Sequence, residues 1–152
     1  MKTNRPTKQY VFMQMAKILS QRATCARRDV GCILVDRHDH IIGSGYNGNA
    51  AGLQHCININ CAGAQCTSGV GLDICEAIHA EQNALMQCKD VEAIVSCYVT
   101  TLPCMHCMKM LLNTGCQNIF YKDVYSDYIK TINLWESAGR NIVRMVEDSN
   151  VI

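Results

Sequence analysis

Apolar residues at positions 11, 15, 18 and 19 recur at helical spacing and predict a helix over residues 8–20 with Val11, Met15, Ile18 and Leu19 on its buried face. A polar turn over 23–29, holding Cys25, Arg27 and Arg28, leads into the β-branched run 30–35, which reads as a strand. A short turn at 37–40 and a second apolar stretch at 41–46 complete an antiparallel hairpin, with His38 and His40 read as solvated turn residues. Gly45-Tyr46-Asn47-Gly48 suits a bland turn or a ligand-binding loop, because its glycines permit positive φ or close backbone approach, and local chemistry alone favours the turn. Residues 49–73 show no period and read as a loop insertion.

The second half alternates regularly. A helix is predicted at 79–88, a strand at 94–101, a helix at 104–113 ended by Gly115, and a strand at 117–122. An amphipathic helix at 126–138, capped by Gly139, and a strand at 141–146 follow. The order α-β-β-α-β-α-β-α-β predicts an α/β fold, a three-layer α/β/α sandwich around a five-stranded mixed sheet. Ligands in such sheets bind beyond the carboxyl ends of the strands, where the helices starting near His79 and Cys104 would meet.

Composition sharpens the picture. The chain has 152 residues and two prolines, Pro6 and Pro103, with no repeat or low-complexity tract, so one domain over residues 1–152 is expected, carrying a cysteine-rich insertion at about 49–75. A formal charge of +1 without a long basic patch argues against a polynucleotide partner. Gln14 and Lys17 interrupt the apolar stretch at 10–19, so no secretion signal is expected, and no apolar run approaches membrane-spanning length; the expected location is the cytoplasm. Eleven cysteines, an odd number, then favour metal binding over a disulfide framework. Cys32, Cys88, Cys97 and Cys116 lie in apolar patterns and read as small buried hydrophobes. Cys56, Cys61, Cys66 and Cys75 crowd a loop too poor in aliphatic residues to form a core, which suits a second, structural zinc; free loop thiols are the alternative.

The chemistry concentrates between residues 76 and 107. His79-Ala80-Glu81 offers an imidazole and a carboxylate, and Pro103-Cys104-Met105-His106-Cys107 offers two thiols on one face of a first helical turn, which proline before a helix start favours. A catalytic zinc takes three protein ligands and keeps a fourth position for water, and His79, Cys104 and Cys107 make three. A zinc there lowers the pKa of its water towards about 7, and Glu81 is placed in sequence to move the water's proton. A lone Cys-x-x-Cys also suits redox or structural zinc sites, and His-x-Glu alone says little; their combination in this order carries the reading.

These motifs, with the following Asn83-Ala84, resemble the cytidine deaminase superfamily, whose zinc-dependent nucleobase deaminases carry H-x-E followed by P-C-x-x-C. Adding Gly45-Tyr46-Asn47-Gly48 and Val30-Gly31, the stretch from about residue 25 to 125 is similar to the deoxycytidylate (dCMP) deaminases of phages and bacteria. The resemblance implies hydrolysis of dCMP to dUMP and ammonia, with zinc on His79, Cys104 and Cys107 and Glu81 as acid and base. It implies substrate contacts at Asn47 and Tyr125, and a second zinc at Cys25 and Cys56, with Cys66 and Cys75 supplying the positions that do not match residue for residue and Cys61 able to displace either. It further implies a homohexamer activated by dCTP and inhibited by dTTP with Mg²⁺, for which Arg27 and Arg28 are candidate triphosphate contacts, a solvated arginine pair being the alternative. Two rivals stand beside it: a deaminase of another cytosine or adenine nucleoside, base or tRNA, and a zinc-stabilised interaction module without catalysis, against which Glu81 argues.

Overall fold

The computed structural model describes residues 5–59, 61–67, 69–125 and 128–146. Helix α1 (Lys8–Ser20) precedes the hairpin β1 (Gly31–Val35) and β2 (Ile41–Tyr46). Two-residue strands β3 (Gly48–Asn49) and β4 (Ala77–Ile78) pair antiparallel and close the base of the intervening loop, which holds one helical turn at Cys56–Asn58. Then follow α2 (Ala80–Gln87), β5 (Ser96–Thr101), α3 (Met105–Leu112), β6 (Asn118–Asp123), α4 (Ile129–Ser137) and β7 (Asn141–Arg144). The sheet order is β2-β1-β5-β6-β7, antiparallel from β2 to β5 and parallel from β5 to β7. This is the expected five-stranded mixed sheet; the start predicted for the last helix, at residues 126–127, lies outside the described residues.

Two cores flank the sheet. On one face Phe12 and Ala16 of α1 pack on Ile33, Val35 and Tyr98, with the Tyr98 ring 5.1 Å from Phe12 and stacked at 4.8 Å on Phe120. On the other, Ala80, Ala84 and Leu85 of α2, Met108 and Leu111 of α3 and Trp135 of α4 cover Cys32, Leu34, Cys97, Val99 and Ile119. Hydrophobic burial of this kind contributes roughly 25 cal/mol per Å² of apolar surface, which holds the three layers together.

Several expectations are corrected. The buried face of α1 is Phe12, Met13 and Ala16, whereas Val11, Met15 and Ile18 are exposed and Leu19 is half-buried. The helix is apolar around more than one stripe, so spacing alone does not select the face that meets the sheet. Cys32, Cys97 and Cys116 are buried, but Cys88 caps α2 half-exposed, its thiol donating to the Asp90 carbonyl at 3.3 Å. Gly139 takes the left-handed cap conformation with φ 72°, but Gly115 does not. A Cβ at Gly115 would fall 2.0 Å from the Glu92 carbonyl oxygen, so glycine serves close approach there. Among the described residues no helix is long and apolar enough to cross a membrane.

Candidate active site

Two strand-to-helix junctions build the site. Gly45 lets α2 lie directly on β2, since a Cβ there would come 2.4 Å from the Ala80 carbonyl oxygen, and the Asn83 amide donates to the Tyr46 carbonyl at 2.8 Å. His79 caps α2, its backbone N–H bonded to the Gln82 side chain at 2.8 Å while its carbonyl accepts the Asn83 N–H at 3.0 Å. From β5 the chain passes through buried Leu102 and Pro103, the Leu102 N–H anchored on the Asp123 carbonyl at 2.8 Å. It reaches Cys104, the N-cap of α3, whose carbonyl accepts the Met108 N–H at 2.8 Å. Sequence spacing placed Cys104 in the first helical turn; the structure sets it one position earlier.

His79 Nδ1 lies 3.4 Å from each of the Cys104 and Cys107 sulfurs, and the three ligand atoms all fall within 4.8 Å of one another. A tetrahedral zinc with Zn–S about 2.3 Å and Zn–N about 2.0–2.1 Å requires N-to-S edges of roughly 3.6 Å, so the residues fit that ion. Among the described residues this is the one such cluster of three or more metal-ligating side chains. The Cys104 thiol is held down to about 4, first by the hydrogen bond from Cys107 and further by His79, while Cys107 is pushed up correspondingly. Metal binding requires deprotonated thiols, so a site that favours thiolate favours the ion.

Glu81 sits in the first turn of α2, 4 % exposed. Burial raises its carboxyl to about 7 against the opposing pull of His79. A carboxyl held there can both take and give a proton near neutrality.

A cavity of about 250 Å³ opens over these residues, with His79, Ala80 and Glu81 in its wall. Tyr125 lines it too, its phenol pushed up by burial and then by Glu81 and Cys104. Asn47 is 7 % exposed and engaged at both ends: its oxygen accepts the Val30 N–H at 2.8 Å and its nitrogen donates to the Arg28 carbonyl at 2.7 Å. Arg27 and Arg28 line this same cavity, a placement that local sequence carried no signal for. Arg27 donates to the Thr67 and Val70 carbonyls at 2.6 and 3.0 Å, and the Arg28 guanidinium lies 4.9 Å from the Tyr125 ring centroid.

The loop thiols divide. Cys56 and Cys61 are hydrogen-bonded to each other, burial pushing Cys56 up to about 11 and the Cys56 contact holding Cys61 down. Cys25 and Cys61 lie near enough to Cys75 that their charges hold its thiol up, after burial. Cys66 lines the cavity, as Cys25 and Cys75 also do, its sulfur 2.6 Å from where a Cβ at Gly71 would be. The thiols that interact with one another are Cys25, Cys56, Cys61 and Cys75, which makes Cys61, able to displace Cys66 or Cys75, a candidate beside the expected set Cys25, Cys56, Cys66 and Cys75.

An α/β/α protein with an imidazole and two thiols around one point, a buried carboxylate beside them and a cavity above is of the class of zinc-dependent hydrolytic enzymes. Residues 6–123 match the family model described as the cytidine and deoxycytidylate deaminase zinc-binding region, and the chain belongs to that family. It is 32 % identical over 152 residues to a deoxycytidylate deaminase of Schizosaccharomyces pombe, covering 97 % of this chain but 47 % of the relative. It is 32 % identical to the deoxycytidylate deaminase of Mycobacterium phage D29, covering 78 % of this chain and 96 % of that one. Thus the chain spans about half the length of the yeast relative and nearly all of the phage one. The dCMP deaminase of cyanophage S-TIM5, solved in complex with dCMP and dUMP, superposes with a TM-score of 0.72 at 25 % identity, covering 90 % of this chain and 96 % of that chain.

Proposed function

We propose that this protein deaminates dCMP hydrolytically, releasing dUMP and ammonia. The observation that carries the reading is the buried Glu81 carboxyl beside the His79, Cys104 and Cys107 cluster, with His79 and Glu81 in the wall of one cavity. The dCMP deaminases among its relatives and the dCMP- and dUMP-bound cyanophage structure support the substrate.

A zinc held by His79 Nδ1 and the two thiolates supplies Lewis acidity that lowers the pKa of water. Glu81 would do the proton transfer: its carboxylate accepts one proton from the attacking water and delivers it to N3 of cytosine as C4 gains oxygen, then takes the second proton from the new C4 hydroxyl and delivers it to the departing amine as the carbonyl forms. Water adds to C4 and ammonia leaves, so atoms and charge balance. Tyr125 lines the same cavity, with the Arg28 guanidinium over its ring.

The second zinc belongs to the same proposal, on Cys25, Cys56, Cys61 and Cys75. What supports it is that each sulfur accepts a backbone N–H: Arg27 to Cys25 at 3.4 Å, Ala26 to Cys56, Gly63, Ala64 and Glu76 to Cys61, and Ala77 to Cys75. Amide donors around thiolates are the outer shell such a site requires. Activation by dCTP, inhibition by dTTP with Mg²⁺, assembly as a homohexamer and a cytoplasmic location rest on the family resemblance. The test is release of ammonia and dUMP from dCMP, with and without each triphosphate, on protein of measured zinc content and mass in solution. Turnover on dCMP is expected; turnover on a free nucleoside, base or tRNA with none on dCMP would overturn the substrate assignment.

A further inference from the structure

We propose that the loop thiols position the wall of the catalytic cavity, so that a metal on Cys25, Cys56, Cys61 and Cys75 and a nucleotide in the cavity each raise the affinity of the other. The inference rests on the nucleotide substrate and the loop metal assigned above, and it links the two sites.

The two sites share a wall. Cys25 and Cys75 line the cavity together with Ala64, Leu72 and Ala77, while His79 and Glu81 line it from the start of α2. Three lining residues hang on the thiols by their backbone amides. The Arg27 N–H donates to the Cys25 sulfur at 3.4 Å, the Ala64 N–H to Cys61 and the Ala77 N–H to Cys75. Cys56 and Cys61 are buried and hydrogen-bonded to each other. A sulfur that shifts therefore carries a wall residue with it. Among the described residues the lining includes neither Cys56 nor Cys61, so Cys61 is a positioning residue whose loss removes no contact with a ligand.

The backbone around the thiols leaves little slack. A Cβ at Gly63 would fall 2.9 Å from the Cys75 Cα, so the turn after Cys61 lies backbone to backbone on Cys75. The Arg27 Nη2 donates to the Thr67 and Val70 carbonyls at 2.6 and 3.0 Å, tying the turn before β1 to the same loop. From Cys75 the chain runs through Ala77 and Ile78, which pair with Asn49 and Gly48, to His79 at the cap of α2. Four thiolates on one ion would draw three separate stretches of chain onto one point, where S–H hydrogen bonds alone hold them weakly. A nucleotide seated against the wall favours that same arrangement. Two ligands that favour one arrangement are coupled, and the coupling is equal in both directions.

The experiment measures dUMP binding by calorimetry, and zinc retained at equilibrium against graded chelator with and without saturating dUMP, for wild type, Cys61→Ser, Cys61→Ala and Cys88→Ser. Wild type is expected to lose zinc in two steps, and the step missing from both Cys61 variants is the loop metal. Saturating dUMP is expected to raise the chelator concentration for that step by about 10-fold, and loss of the loop metal to weaken dUMP by about the same factor. Serine keeps a hydrogen-bond acceptor but not the thiolate, so the two Cys61 variants are expected to behave alike. Cys88→Ser removes a thiol outside the cavity wall and is expected to match wild type in both readouts. If the Cys61 variants fail to fold, wild type stripped of the loop step alone supplies the same dUMP measurement. The proposal is overturned if dUMP fails to bind wild type or binds it without moving the loop step. It is equally overturned if the metal-free loop leaves dUMP affinity unchanged, or if wild type holds no zinc that depends on Cys61. Absence of dCMP turnover with the linkage intact would remove the assigned reaction and leave the coupling standing.

Discussion

Single side chains in this protein owe their chemistry to where burial and hydrogen bonds have put them. Glu81 illustrates the point: a carboxyl in the first turn of a helix normally stays ionised, yet burial here raises it to about 7. Replacing it by alanine is expected to leave fold and zinc content unchanged and to lower kcat by 10²-fold or more, on the order seen when a general acid–base is removed. Cys104→Ala, by contrast, is expected to lose the catalytic zinc, so elemental analysis beside the ammonia assay separates the two roles. Asp36 makes an independent case at the hairpin turn. Its Oδ1 accepts the His38 and His40 N–H groups at 2.8 and 2.9 Å, and the His40 hydrogen bond, then that of His38, lowers its carboxyl below the ordinary value. A lowered folded-state pKa adds stability above the unfolded-state pKa, lost as pH falls through the folded one. Asp36→Asn is therefore expected to be less stable than wild type at neutral pH, with the gap closing in acid, as denaturant titrations at several pH values would show.

At the scale of elements, the loop between β3 and β4 has the clearest consequence. It has little apolar packing of its own, and it is fastened at its base by the two-strand ladder, from the side by Arg27, and within by its thiols. Loop closure of this length is entropically unfavourable, and the proposed second zinc would offset that cost. Cys61→Ser is expected to lower zinc from two per chain to one and to raise protease cutting within residues 49–75, whereas Cys66→Ser keeps two. Equal zinc loss in both variants would reject the ligand set. The helix starts make a second point. Because α2 rests on Gly45 and α3 follows buried Leu102 and Pro103, the packing of the two helix starts brings His79 and Cys104 together.

The molecule as a whole is held by one sheet with a core on each face, and the larger core reaches from α2 to α4. Trp135 anchors its far edge: fully buried, its indole N–H donates to the Asn141 carbonyl at 2.7 Å, with the Arg140 guanidinium 5.2 Å from its ring centroid. Trp135→Ala is expected to cost about 3–5 kcal/mol by chemical denaturation, because it opens a large cavity and strands a carbonyl. The proposed metal ligands lie at the starts of α2 and α3, so zinc content of the still-folded fraction is expected to stay unchanged.

The sequence by itself determined the order of helices and strands, the antiparallel hairpin and parallel second half, and the three candidate ligands with Glu81 close by in the chain. These are local properties: hydrophobic period, turn chemistry and ligand spacing are written within a few residues of one another. Tertiary structure alone decided which apolar stripe of α1 is buried, why Gly115 is glycine, that Cys61 meets Cys56, and that Arg27 and Arg28 share the cavity of Glu81. Each of those turns on partners far along the chain, such as Arg27 with Thr67 and Val70, 40 and 43 residues away. No periodicity encodes such pairings; they are set by which surfaces the packed sheet brings within hydrogen-bonding distance.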